Sequence, residues 1–299
     1  MLRKATHLVE LQDTVDAVNK HITLGRCFDT LENLVRRYSP SQHERVLAEY
    51  IAGRLRDLGL EVEIQEISDE SCNVVGRLPV LDSSYTCLFA GHMDTVPIVD
   101  GWVRDALRLT AEGDRLYGLG ACDMKGGIAG ALVALEAIVK CGLRPLGTIV
   151  VAMLADEERW SLGAKRFLKD PVKADFCLLG EPCFDKMAIG WPGKMAIDCT
   201  VKGVSGHAGR PWQGINAIDE ASRYLTGLAQ VTGRDLEAGY GKGVCDADYL
   251  VGEAAIPTVS FGPEGGGLHA ADEWVSAEKL VVASKVYALM ALYGFTLAV

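Results

Sequence analysis

The sequence predicts an α/β fold, a mainly parallel mixed sheet flanked by helices and interrupted by a small inserted module. Three observations predict it. Helical and strand-like patterns alternate along much of the chain, the signature of strands joined by covering helices. Short continuous apolar runs at residues 85–90, 148–155 and 174–179 suit strands buried on both faces. Acidic and histidine residues stand at or just beyond the ends of these runs, where α/β sheets bind their ligands.

The elements follow in order. Leu8, Leu11, Val15 and Val18 share one side of a first helix, and a second is expected over residues 27–37. Ser39-Pro40-Ser41 breaks the chain and offers an N-cap for a helix from Gln42 to Leu58, which Gly59 ends. Residues 60–64 alternate as a strand. Residues 85–90 form the next strand, and Gly126-Gly127 opens an Ala/Leu/Val-rich helix to Lys140. The strand at 148–155, a short helix at 161–168 and the strand at 174–179 complete the first part. From Lys186 to Lys242 the character changes to an inserted module, with a strand at 195–201, glycine-rich turns, and a helix at 215–230. Residues 255–261 return as a strand that Pro257 marks as an edge or a strand start, and a long helix over 276–297 closes the chain. The domains expected are 1–184 and 243–299 for the main body and 185–242 for the insert.

Composition excludes several classes. With 49% hydrophobic and 23% charged residues the chain is globular, not disordered. A net charge of −10 without any basic stripe excludes a nucleic-acid partner. No apolar run reaches the roughly 18 residues of a membrane span, and Met-Leu-Arg-Lys leads into a polar stretch without a signal-peptide core. The nine cysteines are odd in number and lack a Cys-x-x-Cys pair, which fits reduced thiols in a cytoplasmic enzyme.

Seven residues carry the chemistry: His92 and Asp94 in Gly-His-Met-Asp-Thr-Val-Pro, Asp123 in Cys-Asp-Met-Lys-Gly-Gly, the pair Glu157-Glu158, Glu181 in Gly-Glu-Pro, and His269. Five carboxylates and two imidazoles converging on one place would repel without a large positive charge among them. A pair of divalent metals supplies it. Two Zn²⁺ with Asp123, Glu158 and Glu181 leave one positive charge, which a bridging hydroxide neutralises, and hydroxide is the nucleophile that hydrolysis requires. In an extended stretch His92 and Asp94 point to one side, so Asp94 can hold the other ring N–H of a ligating His92. One carboxylate at Asp123 can bridge two metals. Adjacent Glu157 and Glu158 cannot face the same way if extended, which suits one ligand and one general base. A dinucleotide loop at Gly118-x-Gly120 is excluded because Asp123 stands where the third glycine belongs. Gly262 to Gly267 lacks the Lys-Ser/Thr of a phosphate loop and reads as a loop shaping His269. His7, His21 and His43 read as surface residues.

These motifs resemble the zinc-dependent amidohydrolase and metallopeptidase family of acetylornithine deacetylase, succinyl-diaminopimelate desuccinylase, aminoacylase and glutamate carboxypeptidase, from about Leu31 onward. The resemblance implies that His92, Asp123, Glu158, Glu181 and His269 are metal ligands, with Asp123 bridging, that Asp94 orients His92, and that Glu157 is the general base. The stretch from Val201 to Pro211 resembles the family's lid, whose histidine, here His207, reaches a neighbouring subunit's site to stabilise the oxyanion. Trp102 and Leu116-Tyr117-Gly118 match the loop before the bridging aspartate, most like the deacetylase and desuccinylase branch.

The chain departs from the pattern after the first lid helix, where the strands and second helix that supply a substrate-gripping arginine and asparagine are missing. Arg210 is the candidate replacement for a substrate carboxylate clamp. The expected function is hydrolysis of the amide bond of an N-acyl amino acid or short peptide with two zinc ions, cobalt or manganese fitting the same ligands. The alternatives are a non-catalytic, metal-stabilised descendant with an incomplete lid, and a lidless aminopeptidase. The family dimerises through the lid, so a homodimer is implied while the shortened lid leaves the oligomeric state open.

Overall fold

A computed structural model describes residues 13–80, 85–170, 172–182, 203–206, 209–210, 213–215 and 245–293. The chain divides into two compact units, Met1–Trp191 with Cys245–Val299, and Pro192–Val244. The expected strand at 195–201, His207 and most of the expected helix at 215–230 lie outside the described residues. In the smaller unit, Val204 and Ile215 form an isolated antiparallel bridge.

In the larger unit the helix α1, described over residues 13–21, buries Val18. The next helix, α2 (Leu24–Val35), starts at Thr23, whose hydroxyl accepts the Arg26 amide. It buries Cys27, Thr30, Leu31, Leu34 and Val35, a stripe at helical spacing. Helix α3 (Arg45–Asp57) buries Leu47, Ala48, Ile51, Ala52 and Leu55 in the same way. It begins three residues later than the serines suggest, because their hydroxyls are engaged elsewhere. Ser39 Oγ donates to the Met93 carbonyl and Ser41 Oγ to the Asp94 carboxylate, each at 2.8 Å. His21, read from sequence as a surface residue, lies with only 11% of its side chain exposed, 3.9 Å from Glu136.

The main sheet is mixed and holds β1 (Glu61–Ser68), β2 (Ser71–Leu78), β3 (Thr86–His92), β6 (Thr148–Leu154), β7 (Phe176–Pro182) and β8 (Thr258–Gly262), in the order β1-β2-β6-β3-β7-β8. The β6-β3-β7-β8 pairs are parallel and the two pairs made by β2 antiparallel. The edge position of β8 is consistent with Pro257 just before it. Alternate side chains of the central strands enter two different cores. Phe89, Val151 and Leu178 face one core with α2, α3, α4 (Lys125–Lys140) and α7 (Ala277–Tyr293). Leu88, Val150, Cys177 and Leu179 face a smaller core with α5 (Leu162–Phe167) and α6 (Ala247–Gly252). Helices therefore cover both faces, and each fully buried large apolar side chain contributes on the order of 1.5–3 kcal/mol.

Helix α4 is buried from Lys125 to Ile138. It lies directly on β7, since a Cβ at Gly127 would stand 2.0 Å from the Gly180 carbonyl oxygen. A second, antiparallel sheet joins β4 (Thr110–Glu112), β5 (Arg115–Tyr117), β9 (Gly265–Gly266) and β10 (Trp274–Ser276) in the order β4-β5-β10-β9. Among the described residues no helix is long and apolar enough to cross a membrane. The seven described cysteines are all free thiols.

Candidate metal centre

Sheet register assembles the site. The parallel pair His92↔Leu154 places His92 beside the end of β6, and Ala90↔Leu179 brings Glu181 level with His92 on the other side. His92 and Glu181 are thus late residues within β3 and β7, where the sequence suggested positions beyond the strand ends. Glu157 and Glu158 follow β6 in a turn that Asp156 enters at φ 63°, so the extended alternation expected of them does not apply. Donor atoms of both lie within 4.8 Å of a His92 nitrogen and of one another. Asp123 sits in the loop before α4, and His269 in the connection between β9 and β10.

All seven sequence-predicted residues of the larger unit meet here. His92 Nε2 lies 3.1 Å from Asp123 Oδ1 and 3.6 Å from Glu181 Oε1. His269 Nε2 lies 3.3 Å from the other Asp123 oxygen, Oδ2, and 2.8 Å from Glu158 Oε1. His92 Nδ1 is 2.9 Å from the main-chain carbonyl of Asp94 and 3.5 Å from its carboxylate. The Asp94 backbone carbonyl is thus the nearer partner of the ring, with the carboxylate expected from sequence beside it. The Asp94 carboxylate instead accepts the amides of Glu157 (3.0 Å) and Glu158 (3.1 Å) and the Ser41 hydroxyl.

The electrostatics are those of crowded acids. Burial opposes a charged His92, but Glu181, Asp123 and Asp94 overturn this and hold its pKa well above the ordinary value. Burial raises Glu181 well above the carboxylate range and lifts Glu157 to about 9. Hydrogen bonds to Asp123 and Glu158 raise His269 to about 10. Burial would raise Asp123 too, but its two histidines hold it well below the usual range.

Two donor groups share Asp123: His92, Asp123 and Glu181, and Asp123, Glu158 and His269. Their imidazole nitrogens and carboxylate oxygens suit zinc, cobalt or manganese. Glu181 Oε1 is buried without a hydrogen-bond partner, as a ligand atom reserved for a cation would be. The donor set and this orphaned atom fit a divalent metal.

Sequence reasoning missed several neighbours. Glu44 accepts the amides of Gln42 and Asp156, and Ser71 donates to it. Glu273 accepts three amides of the Asp123 loop. Asp246, heading α6, is buried with neither carboxylate oxygen hydrogen-bonded, and burial lifts it to about 7. None stands in a motif of its own, and the only cue was the four-residue spacing of Glu273 from His269. Arg210 belongs to the smaller unit, where it is exposed and its carbonyl accepts the Gln213 amide.

The sequence pattern described as peptidase family M20/M25/M40 matches residues 88–293, more than half of the chain. The chain belongs to this family. Among curated relatives of this M20/M25/M40 member, acetylornithine deacetylase of Aliivibrio fischeri is 38% identical over 175 residues, 58% of this chain and 45% of the relative. Acetylornithine deacetylase of Pectobacterium carotovorum is 37% identical over 183 residues, 60% of this chain and 46% of the relative. The chain spans about half the length of the curated relatives it matches. A tripeptidase structure from Staphylococcus aureus superimposes with a TM-score of 0.70 at 17% identity, covering 91% of this chain and 98% of that one. An M20 family metallo-carboxypeptidase from Sulfolobus solfataricus gives 0.68 at 15%, covering 90% and 99%. These likenesses show that the M20/M25/M40 member has the α/β fold expected from its sequence. Membership implies a divalent metal, typically zinc.

Proposed function

We propose that the chain is a two-metal hydrolase that cleaves the amide bond of an N-acyl amino acid or short peptide. The observation that carries this reading is Asp123, whose two oxygens face His92 and His269 separately. One carboxylate shared in this way suits a pair of cations. His92, Asp123 and Glu181 would hold one, and Asp123, Glu158 and His269 the other. When bound, the metals polarise the scissile carbonyl and lower the pKa of the attacking water.

The chain's own residues do the rest. Glu157 accepts the proton of the attacking water and returns it to the departing amine, a role supported by its donor atom lying within 4.8 Å of His92 and Glu158 donors. Asp94 holds the Glu157 and Glu158 amides, so the base and a ligand move as one rigid turn. We assign residues 185–242 to a shortened lid, with His207 stabilising the oxyanion in a neighbouring subunit's site and Arg210 binding a substrate carboxylate. The substrate class is supported by the names of the relatives, a deacetylase of acetylornithine, a tripeptidase and a carboxypeptidase.

The test is metal content of the purified protein, followed by turnover of N-acetyl amino acids and of di- and tripeptides with zinc, cobalt or manganese. Two equivalents of metal and chelator-sensitive hydrolysis are expected. Metal without turnover would point to a scaffold with an incomplete lid, and a protein that takes up no metal would overturn the reading.

A further inference from the structure

The two proposed cation sites share Asp123 but are built differently. His92 and Glu181 lie within strands β3 and β7, hydrogen-bonded neighbours at the sheet centre, and the His92 side chain is 1% exposed. His269 sits on the connection between β9 and β10 at φ 60°, its side chain 44% exposed. Non-glycine residues in the left-handed region persist where surrounding contacts hold them.

One residue ties this connection to the Asp123 loop. Glu273, buried and four residues beyond His269, accepts the amides of Gly120 at 2.8 Å on one oxygen. Its other oxygen accepts those of Cys122 and Asp123, each at 2.9 Å. Gly120 takes φ 72°, which lets the loop turn these three N–H groups toward one carboxylate. Adjacent Asp272 anchors the same connection elsewhere, accepting the Val103 and Arg104 amides and pairing with the Arg104 side chain at 3.1 Å.

We propose that Glu273 is a positioning residue that fixes His269 against Asp123, so that the Asp123–Glu158–His269 cation site depends on it more than the His92–Asp123–Glu181 site does. The proposal rests on the two-cation reading above. Buried carboxylates that aim metal ligands from behind typically change metal affinity about 10–100-fold when replaced. A glutamine at this position keeps one carbonyl oxygen for the Cys122 and Asp123 amides but turns its NH₂ toward the Gly120 N–H. It therefore loosens the loop without emptying the space. Alanine removes all three acceptor contacts.

Cobalt(II) titration by calorimetry, with melting of each metal-free protein, tests this in the wild type, Glu273→Gln, Glu273→Ala and Asp272→Asn. The wild type and Asp272→Asn are expected to take two equivalents. Glu273→Gln should take one at wild-type affinity and the second about 10–100-fold more weakly, with Glu273→Ala weaker still. If the alanine protein does not fold, the glutamine protein decides. The proposal is overturned if Glu273→Gln binds both equivalents like the wild type, if both sites weaken equally, or if Asp272→Asn gives the same pattern. A wild type that takes up no cobalt overturns the metal centre itself, and this assignment with it.

Discussion

The Asp94 carboxylate accepts the main-chain amide of Glu157 at 3.0 Å, linking the strand end that carries His92 to the turn that carries the proposed base. The same carboxylate takes the Glu158 amide and the Ser41 hydroxyl, so the residue is a buried acceptor of three donors. Asp94→Asn sets an NH₂ group against at least one of them. Each buried donor left unpaired costs about 1–3 kcal/mol. The metal-free variant should unfold at lower urea concentration and turn over substrate more slowly. Wild-type behaviour in both measurements would remove Asp94 from the site.

Glu157 is the proposed proton carrier, whereas Glu158 faces His269 at 2.8 Å. Glu157→Gln should therefore keep its full complement of metal and lose turnover by about 10²–10⁴-fold, with substrate affinity little changed. Metal analysis beside steady-state kinetics reads this out. Full activity in the glutamine protein would exclude it as the base.

Glu44, next to the proposed metal centre but not among its ligands, should give the fold a pH dependence. Burial raises its carboxyl from 4.5 to about 7. Between those values the folded protein holds a proton that the unfolded chain releases. The stabilising contribution is complete below about 4.5 and is lost as pH rises through about 7, on the order of 2–3 kcal/mol. Glu44→Gln should flatten that slope, since a glutamine carbonyl can accept the Gln42 and Asp156 amides and its NH₂ can face Ser71 Oγ. Urea denaturation of metal-free protein at pH 4.5 and 8 measures it. Equal slopes in the two proteins would contradict the assignment.

Gly127 is where α4 touches β7. A methyl group there would stand 2.0 Å from the Gly180 carbonyl oxygen, next to Glu181. Gly127→Ala should lower stability by about 1–3 kcal/mol through overpacking and weaken metal binding through Glu181. Thermal melting with and without zinc checks both effects.

Much of the architecture was legible because the central strands are apolar on both faces, as at Ile149 to Leu154, and α4 is mostly Ala, Leu, Val, Ile and Gly. β2 was not legible, since Asn73, Gly76 and Arg77 break its pattern although the strand is largely buried. Asn73 is accommodated by hydrogen bonds to Gln65 and to the Gly163 carbonyl, which only the folded chain brings near. The small second sheet joins residues more than a hundred positions apart, and its strands of two or three residues carry no periodicity. Among the candidate site residues, His92, Glu157, Glu158 and Glu181 were legible because charge at the end of an apolar run is conspicuous, whereas Asp123 and His269 stand in loops and were read from their motifs. Glu44 and Glu273 were not, since each acts on main-chain amides, and any acidic residue in a loop looks the same in a sequence.

The strands β7 and β8 lie side by side and parallel, so the chain must leave one end of the sheet and come back to the other between them. A plain crossover needs about a dozen residues, whereas here the detour carries an entire second unit. Closing a longer flexible excursion adds only about 0.6 kcal/mol for each doubling of its length. The larger unit is thus nearly indifferent, thermodynamically, to how large an appendage is spliced into that gap. Insertions and deletions at that splice can therefore accumulate with little cost to the sheet that carries His92 and Glu181.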